Sequence, residues 1–467
     1  MRRRSLLIPC AALLCAAILA AVPSPAAAAD TPLKPLAAAT DSLPDQPTEK
    51  NDRLLAADLL LLEVGIWLPS RLLDVSWANI GLTTMKENLK TGFVWDHDDW
   101  LTNQYSHPFH GGLYYNAARS NGYDFWGSVP FALTGSMFWE LFMENEPPSI
   151  NDLLSTTTGG VYFGEQQYRL SSMLLDNTAT GAERTWREIG GFLLNPIRGF
   201  NRLVTGKTGR VYANPADRLP NAIGGRLTLG TNRVAEGTDL SQARDLYMFD
   251  VHFLYGDAFA DMSTPKPYET FGMRASLVLH GRAPLIREVS GTGIIWGSKF
   301  EHGGDSRSMW AVYQDYDYFD TLVYQFGGQS IGAGLYSWHR RSSVMPIVTN
   351  VALHGVVLAG SNVGFETSPG RQYNYSTGAK FKVSTMLLHR RYGRFALRYW
   401  LYWFHTLSGA DGNEYVHWAQ ASLNPRVYRD WGLGLDFTYY RRDTHFHDLP
   451  ETHRKNIELR TFASYTF

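Results

Sequence analysis

The C-terminal stretch NIELRTFASYTF, Asn456 to Phe467, decides the architecture. Counting back from the end, Phe467, Tyr465, Ala463, Leu459 and Ile457 share one face. Thr466, Ser464, Arg460, Glu458 and Asn456 share the other, with Phe462 the exception. A period of two is the period of a strand. The same alternation recurs from about residue 220 onward. Trp431, Leu433, Leu435, Phe437 and Tyr439 oppose Gly432, Gly434, Asp436 and Thr438. Phe395, Leu397, Tyr399, Leu401 and Trp403 oppose Arg394, Ala396, Arg398 and Trp400, and Phe271, Met273, Ala275, Leu277 and Leu279 oppose Gly272, Arg274, Ser276 and His280. Lys380, Lys382 and Ser384 oppose Ala379, Phe381, Val383 and Leu387. A soluble sandwich with one wet face also alternates. Long strands, aromatic residues near many strand ends and a polar face holding Arg, Lys and Asp favour a membrane barrel.

A final strand ending in Phe, with Tyr two residues before it, resembles the C-terminal signal of Gram-negative outer-membrane barrels. The first residues agree. Arg2, Arg3 and Arg4 precede an apolar run from Leu6 to Val22, and Ala27-Ala28-Ala29 offers a small-residue cleavage site, the layout of a secretory signal peptide over residues 1–29. Its removal would take away both cysteines, Cys10 and Cys15, and leave no thiol for a disulfide or a metal. Without a spanning helix, an exported membrane protein has to pair its backbone by closing a barrel. About twelve strand-like segments are expected over residues 215–467. Asp250, His252, Arg274, Lys380, Lys382, Arg398, Glu458 and Arg460 fall on the inward face, and their mixed signs favour a plugged or self-paired lumen over a narrow channel.

Residues 30–50, rich in Pro, Ala, Thr and Asp, read as a linker. Residues 51–209 have helical period. The stretch from Leu54 to Leu68 is apolar but carries Asp58 and Glu63, too short and charged for a span, and stops at Pro69. Further helices are expected from Pro108 to Asn121-Gly122, from Val129 to Asn145, after an N-cap at Ser149, and from about Ala182 to Leu194. The fold class is therefore α+β, a helical module followed by an antiparallel transmembrane β-barrel. A chain of 467 residues with net charge −1 and 14 Trp, 25 Tyr and 24 Phe is neither a disordered polymer nor a basic nucleic-acid binder. The expected surroundings are outer-membrane lipids and lipopolysaccharide, with the barrel assembly machinery acting during insertion. No cofactor is indicated.

The unusual residues lie between 95 and 169: WDHDDW at Trp95–Trp100, NQYSHPFHGG at Asn103–Gly112, YYNAARSNG at Tyr114–Gly122, GSMFWELFMENEPPSIND at Gly135–Asp152, and TGGVYFGEQQYR at Thr158–Arg169. In that order they resemble an uncharacterised family of Gram-negative outer-membrane proteins, a domain of unknown function, over roughly residues 90–210. The resemblance implies location and architecture, and it carries no activity. More loosely, the order His, Glu-bearing helix, Asp and Gly-rich turn looks like a small helical membrane family that includes glycopeptide-resistance accessory proteins, a hint that helices pack around a polar centre.

Glu140 and Glu144 share a helix face with Ser136 one turn earlier, and Asp152 and Thr156 share another. Glu165 and Arg169 stand at pairing distance. If these faces converge with His107, His110, Asn103 and Arg119, they form one buried polar centre. A catalytic reading makes His107 a general base oriented by Asp152 or Glu140, with Arg119 binding a phosphate or carboxylate. A metal reading would use His107, His110, Glu140 and Glu144, but no H-E-x-x-H is present. A structural reading makes Arg119, Glu144, Glu165 and Arg169 a satisfied network that fixes the packing. Gly159, Gly160 and Gly164 read as close-packing positions, and the run Asp96 to Asp99 as a solvated turn. The resulting function expected is a barrel whose helical module plugs or caps it or binds an envelope partner. The alternatives are a lipid-modifying acyl hydrolase or transferase and a narrow channel.

Overall fold

The structure, a computed structural model, describes residues 49–260, 264–280, 284–301, 306–340, 345–364, 371–389 and 392–467, with two short bridges at Lys34–Pro35 and Ser42–Leu43. The expected signal peptide and most of the linker lie outside these residues. The chain divides into two compact units, whose described parts are mainly residues 49–219 and 220–467.

The second unit is a closed antiparallel barrel of twelve strands. They are β1 Ala222–Glu236, β2 Arg244–Tyr255, β3 Phe271–His280, β4 Ile286–Glu301, β5 Ser306–Asp320 and β6 Gln325–Arg340. There follow β7 Pro346–Asn362, β8 Tyr373–His389, β9 Gly393–Ser408, β10 Gly412–Asn424, β11 Trp431–Phe446 and β12 Thr452–Thr466. Each strand pairs with its chain neighbour, and β12 returns to β1 in the register Asn456↔Glu236 to Thr466↔Arg226. Closure leaves no unpaired sheet edge, which is the condition for strands to cross a bilayer. The alternation seen in the sequence sorts the two faces. On β11, Trp431, Leu433, Leu435 and Phe437 are exposed, while Asp436, Thr438, Tyr440 and Arg442 are buried. Exposed aromatic residues ring both ends, with Tyr392, Phe395, Tyr428 and Trp431 toward one rim and Tyr247, Trp403 and Tyr415 toward the other.

The lumen is filled by its own side chains. Lys380 lies 2.8 Å from Asp315 and 2.5 Å from Asp317, Lys382 lies 2.7 Å from Asp315, and Arg460 lies 2.9 Å from Asp250. Arg287 pairs with Glu458, and Arg442 with Glu414. Phe319, Tyr324, Phe326, Trp400, Tyr402 and Tyr440 form a buried aromatic cluster. The described part of the β2–β3 connection turns back onto inward residues: Phe259 stacks on Tyr336 at 5.2 Å, and the Tyr268 hydroxyl donates to Gln314 at 2.8 Å. Tyr268 sits in the left-handed region at φ 56°, held there by that bond and by its N–H to the Ile294 carbonyl. Phe462 faces inward because Gly230 and Gly434 leave room for its ring.

Among its described residues the first unit holds seven helices: α1 Asp52–Leu72, α2 Leu82–Thr91, α3 His107–Ser120, α4 Phe125–Phe142, α5 Ile150–Leu174, α6 Gly181–Leu194 and α7 Pro196–Val204. Pro69 does not stop α1, since it falls in the last turn and Leu73 N–H still bonds its carbonyl. The helix expected from Val129 starts at Phe125 instead, because Asp124 caps it by accepting from Gly127 N–H at 2.6 Å, and it ends at Phe142. α2 and α7 were not foreseen. Pro196, taken as the end of α6, also opens α7, where its missing N–H costs nothing.

Helices α3 and α5 cross in backbone contact. A Cβ on Gly160 would lie 2.5 Å from the Gly111 carbonyl carbon, one on Gly159 would strike Pro108, and one on Gly164 would strike Tyr115. The three glycines are thus close-packing positions. This crossing positions the polar side chains of both helices.

Candidate functional site

The residues singled out from sequence occupy two separate centres on α5. Asp152 stands in its first turn, beneath Ser149, whose hydroxyl accepts from Asp152 N–H at 3.2 Å as the expected N-cap. Glu165 lies 13 residues further on, about 20 Å along the axis at 1.5 Å per residue. Arg119 is at the far end of α3 from His107 and meets Glu165.

At the first centre, His107 Nε2 lies 3.2 Å from Asp152 Oδ1 and 3.8 Å from Asp98 Oδ2. A single π-helical turn, Thr102–Ser106, runs directly into His107. Such turns recur at functional sites because they displace a side chain from regular helical spacing. Glu140 is buried and accepts the Ser149 N–H at 2.7 Å, and Glu144 Oε2 accepts from Trp139 Nε1 at 3.2 Å. Asn103 and Asn151 brace the group. Asn151 Nδ2 donates to Asn103 Oδ1 at 2.9 Å and to Asp152 Oδ1 at 3.0 Å, while Asn103 Nδ2 donates to Asp96 Oδ1 at 3.2 Å. Asp99 caps the π-helical turn through Thr102 N–H at 2.9 Å. His110 does not join the centre; its ring stands edge-on to Trp139 at 5.1 Å.

The charges follow from crowding and burial. Burial opposes charge on His107, but the Asp152 carboxylate, followed by Asp98 and Asp96, outweighs it and holds the imidazole up at about 10. Burial in turn pushes Asp152 well above the carboxylate range, against the pull of His107; an imidazole that favours its charged form is poorly suited to serve as the general base. Burial, then the neighbouring Asp152, pushes Glu140 well above the carboxylate range. Burial also lifts Glu144 to about 7, although His107 pulls it down. His110 is driven down to about 3, by burial and by the His107 charge. Among the described residues, no group of three His, Cys, Asp or Glu side chains is arranged to hold a metal ion.

At the second centre the one carboxylate is fully answered. Glu165, 0% exposed, receives Arg119 Nε at 2.8 Å and Nη2 at 3.0 Å, Arg169 Nε at 2.9 Å and the Tyr115 hydroxyl at 2.8 Å. Arg119 lies over the Tyr168 ring at 4.1 Å. Glu165 is held below its ordinary pKa, because the two guanidiniums outweigh the burial that would raise it.

Beside an apolar core that includes Leu55, Leu62, Tyr114 and Ala117, the module buries polar side chains and exposes large apolar ones. Asp58, Glu63, Asn116, Gln167 and Asn201 are buried, with Asp58 accepting from both Asn121 and Asn201 at 2.7 Å. Leu60, Leu61 and Leu72 of α1, Trp126 and Phe138 of α4, and Trp186, Phe192 and Leu193 of α6 are exposed. No described helix is long and apolar enough to cross a membrane.

Sequence reasoning missed Asp98, Asn151 and Asn88, whose Nδ2 donates to the backbone carbonyls of Glu140 at 3.3 Å and Glu144 at 3.0 Å. The two asparagines gave no signal, as a lone Asn rarely does. Asp98 stood inside a run read as a solvated turn.

Residues 92–197 match the family model described as Domain of unknown function (DUF3943). The matched segment contains both centres, and the chain joins this domain to a twelve-stranded barrel of outer-membrane type. No curated protein matches the chain. Among solved structures, the outer membrane channel DcaP of Acinetobacter baumannii is 10% identical, covering 52% of this chain and 96% of that one, at a TM-score of 0.25. The NanC porin is 9% identical over 51% and 98%, at 0.30, and the outer membrane protein opdK from Pseudomonas aeruginosa 8% identical over 52% and 98%, at 0.21. At such TM-scores these likenesses carry no structural argument. The barrel rests on its own closed ladder and two-faced strands.

Proposed function

We propose that the protein resides in the outer membrane of a Gram-negative cell, exported by a signal peptide over residues 1–29, and that its helical module modifies an envelope lipid by acyl hydrolysis or transfer. The observation that carries this reading is the buried group of acids about His107, in a module that exposes large apolar side chains. An apolar exterior suits a lipid environment. An interior where several carboxylates surround one imidazolium is where proton transfer can be driven.

The roles differ from those the spacing suggested. In ester hydrolysis, water adds its oxygen to the acyl carbon and loses a proton, and the departing alkoxide takes one up. Glu144, titrating near neutrality, fits the base that receives the water's proton. His107, charged and partly accessible beside Asp98, fits the acid that protonates the alkoxide. Asp152 and Glu140 are positioning residues. Arg119 takes no part, being committed to Glu165. The barrel, its lumen closed by internal ion pairs, serves as anchor; this supports the closed form over the narrow channel.

The test is mass spectrometry of phospholipid and lipid A from a deletion strain complemented with the parent chain or with His107→Gln, at equal amounts of folded barrel. The account expects a lipid species lost on deletion and restored by the parent alone. Identical profiles throughout would remove the enzyme and leave a module that binds an envelope partner through its apolar exterior.

A further inference from the structure

The barrel lumen carries more positive charge than it neutralises near the rim where β1 begins and β12 ends. Arg226 on β1, Arg274 on β3 and Arg394 and Arg398 on β9 gather around His252, with Arg460 on β12 beside Asp250, which Arg274 also approaches. The acids there are Asp250, Glu288 and Asp436. Arg460 takes Asp250, and Arg274 shares Asp250 and Glu288 at 3.8 and 3.3 Å. Asp436 is bonded by the Ser422 hydroxyl at 2.6 Å. Among the described residues, Arg226, Arg394 and Arg398 form no ion pair. Arg226, 3% exposed, reaches only neutral groups: Asn424 at 3.4 Å, His252 at 3.2 Å and the face of Phe462 at 5.3 Å, with its Nε unbonded. Arg398 bonds the Gln420 side chain at 2.7 Å. With Arg287 and its partner Glu458, whose charge also reaches Arg460, six guanidiniums thus face four carboxylates in an enclosed space. Buried charge without a counter-charge is costly, so the surplus calls for an anion.

Arg398 also lines a cavity of about 210 Å³, whose wall is otherwise mainly apolar: Phe259, Tyr336, Trp338, Val348 and Met386. Asn350, whose Oδ1 is unbonded, and Ser384 add polar atoms, and Asp257 is occupied by the Phe259 N–H at 2.9 Å. A dry cavity of ~150 Å³ admits benzene, so this space takes a ring or short acyl chain. We propose that the lumen binds a small amphipathic anion there, its carboxylate or phosphate head against Arg398 and its apolar part against Phe259, Tyr336 and Trp338.

This site is independent of the helical module and of the lipid chemistry assigned to it. The test is isothermal titration of the full chain in a non-ionic detergent with 3-phenylpropanoate, 3-phenylpropyl phosphate, the neutral 3-phenylpropanol and inorganic phosphate. The expected result is saturable binding of at least one amphipathic anion, tenfold or more weaker in Arg398→Gln, with no saturable binding of the alcohol. The two amphipathic anions distinguish a carboxylate from a phosphate source. Should Arg398→Gln fail to fold, the thermal midpoint of the parent barrel replaces it, and a rise with the anion and none with the alcohol is expected. Absence of binding, equal binding of the alcohol, inorganic phosphate binding as tightly as its amphipathic ester, or an unchanged affinity in folded Arg398→Gln would each overturn the proposal.

Discussion

Helix α5 holds two buried carboxylate centres that differ in one respect. Around Glu165, two guanidiniums and a hydroxyl answer a single carboxylate, and nothing is left to titrate near neutral pH. Around Asp152, several carboxylates compete for one imidazole, and the shortfall is met by retained protons. The same helix, built of the same residue types, therefore supports a centre that only holds and one that can exchange protons. Burial of charge is not by itself a sign of function; buried acids without enough cations to keep them ionised are the better one.

The largest expected effect breaks the Glu165 side. Glu165→Ala leaves Arg119 and Arg169 facing each other without a counter-charge and should cost about 3–5 kcal/mol, read as loss of the helical unfolding transition in circular dichroism while the barrel persists. Next comes the crossing that lies between the centres. Gly160→Val drives a side chain into the Gly111 backbone and should cost roughly 1–3 kcal/mol, loosening both centres at once; an unchanged midpoint would mean the helices do not meet there.

Smaller effects sharpen the contrast. His107→Gln removes the cation that the acid-rich centre holds among the described residues, yet Asp152 can take up a proton in compensation. The expected cost is about 1 kcal/mol at pH 6 and larger at pH 8, because compensation fails as protons become scarce. For Glu144 and Glu63, held at about 7 and 8 by burial, the folded state binds protons that the unfolded state has released. Their contribution is full below the ordinary carboxylate pKa and is lost as pH rises through 7 to 8. Glu165 has the opposite sign, contributing above the ordinary carboxylate pKa and losing it on acidification. Stability of the helical unit should thus fall from pH 5 to 8, and Glu144→Gln should flatten that slope. Thermal midpoints across this range, with an unaltered slope in Glu144→Gln, would count against the protonation scheme.

The barrel was legible because bilayer and lumen impose opposite chemistry at a spacing of two, so Arg460 and Leu459 announce their faces without neighbours. Phe462 broke the pattern for a reason found on other strands, the glycines at 230 and 434. Shared helix faces were legible as well, which is why Glu140 with Glu144 and Glu165 with Arg169 came out as groups. Their division into two centres was not, since it depends on where α3 crosses α5. Nor was the charge on His107, which needs Asp98 from a segment 9 residues earlier in the chain to turn back on it.

The most direct measurement is the titration of His107 itself, by ¹⁵N imidazole resonances of histidine-labelled full chain, assigned by the signal missing in His107→Gln. The account predicts an imidazolium that persists past pH 8 in the folded protein, while His110 stays neutral down to pH 5. A His107 that loses its proton between pH 6 and 7 would contradict it, because the centre would then hold no excess of negative charge.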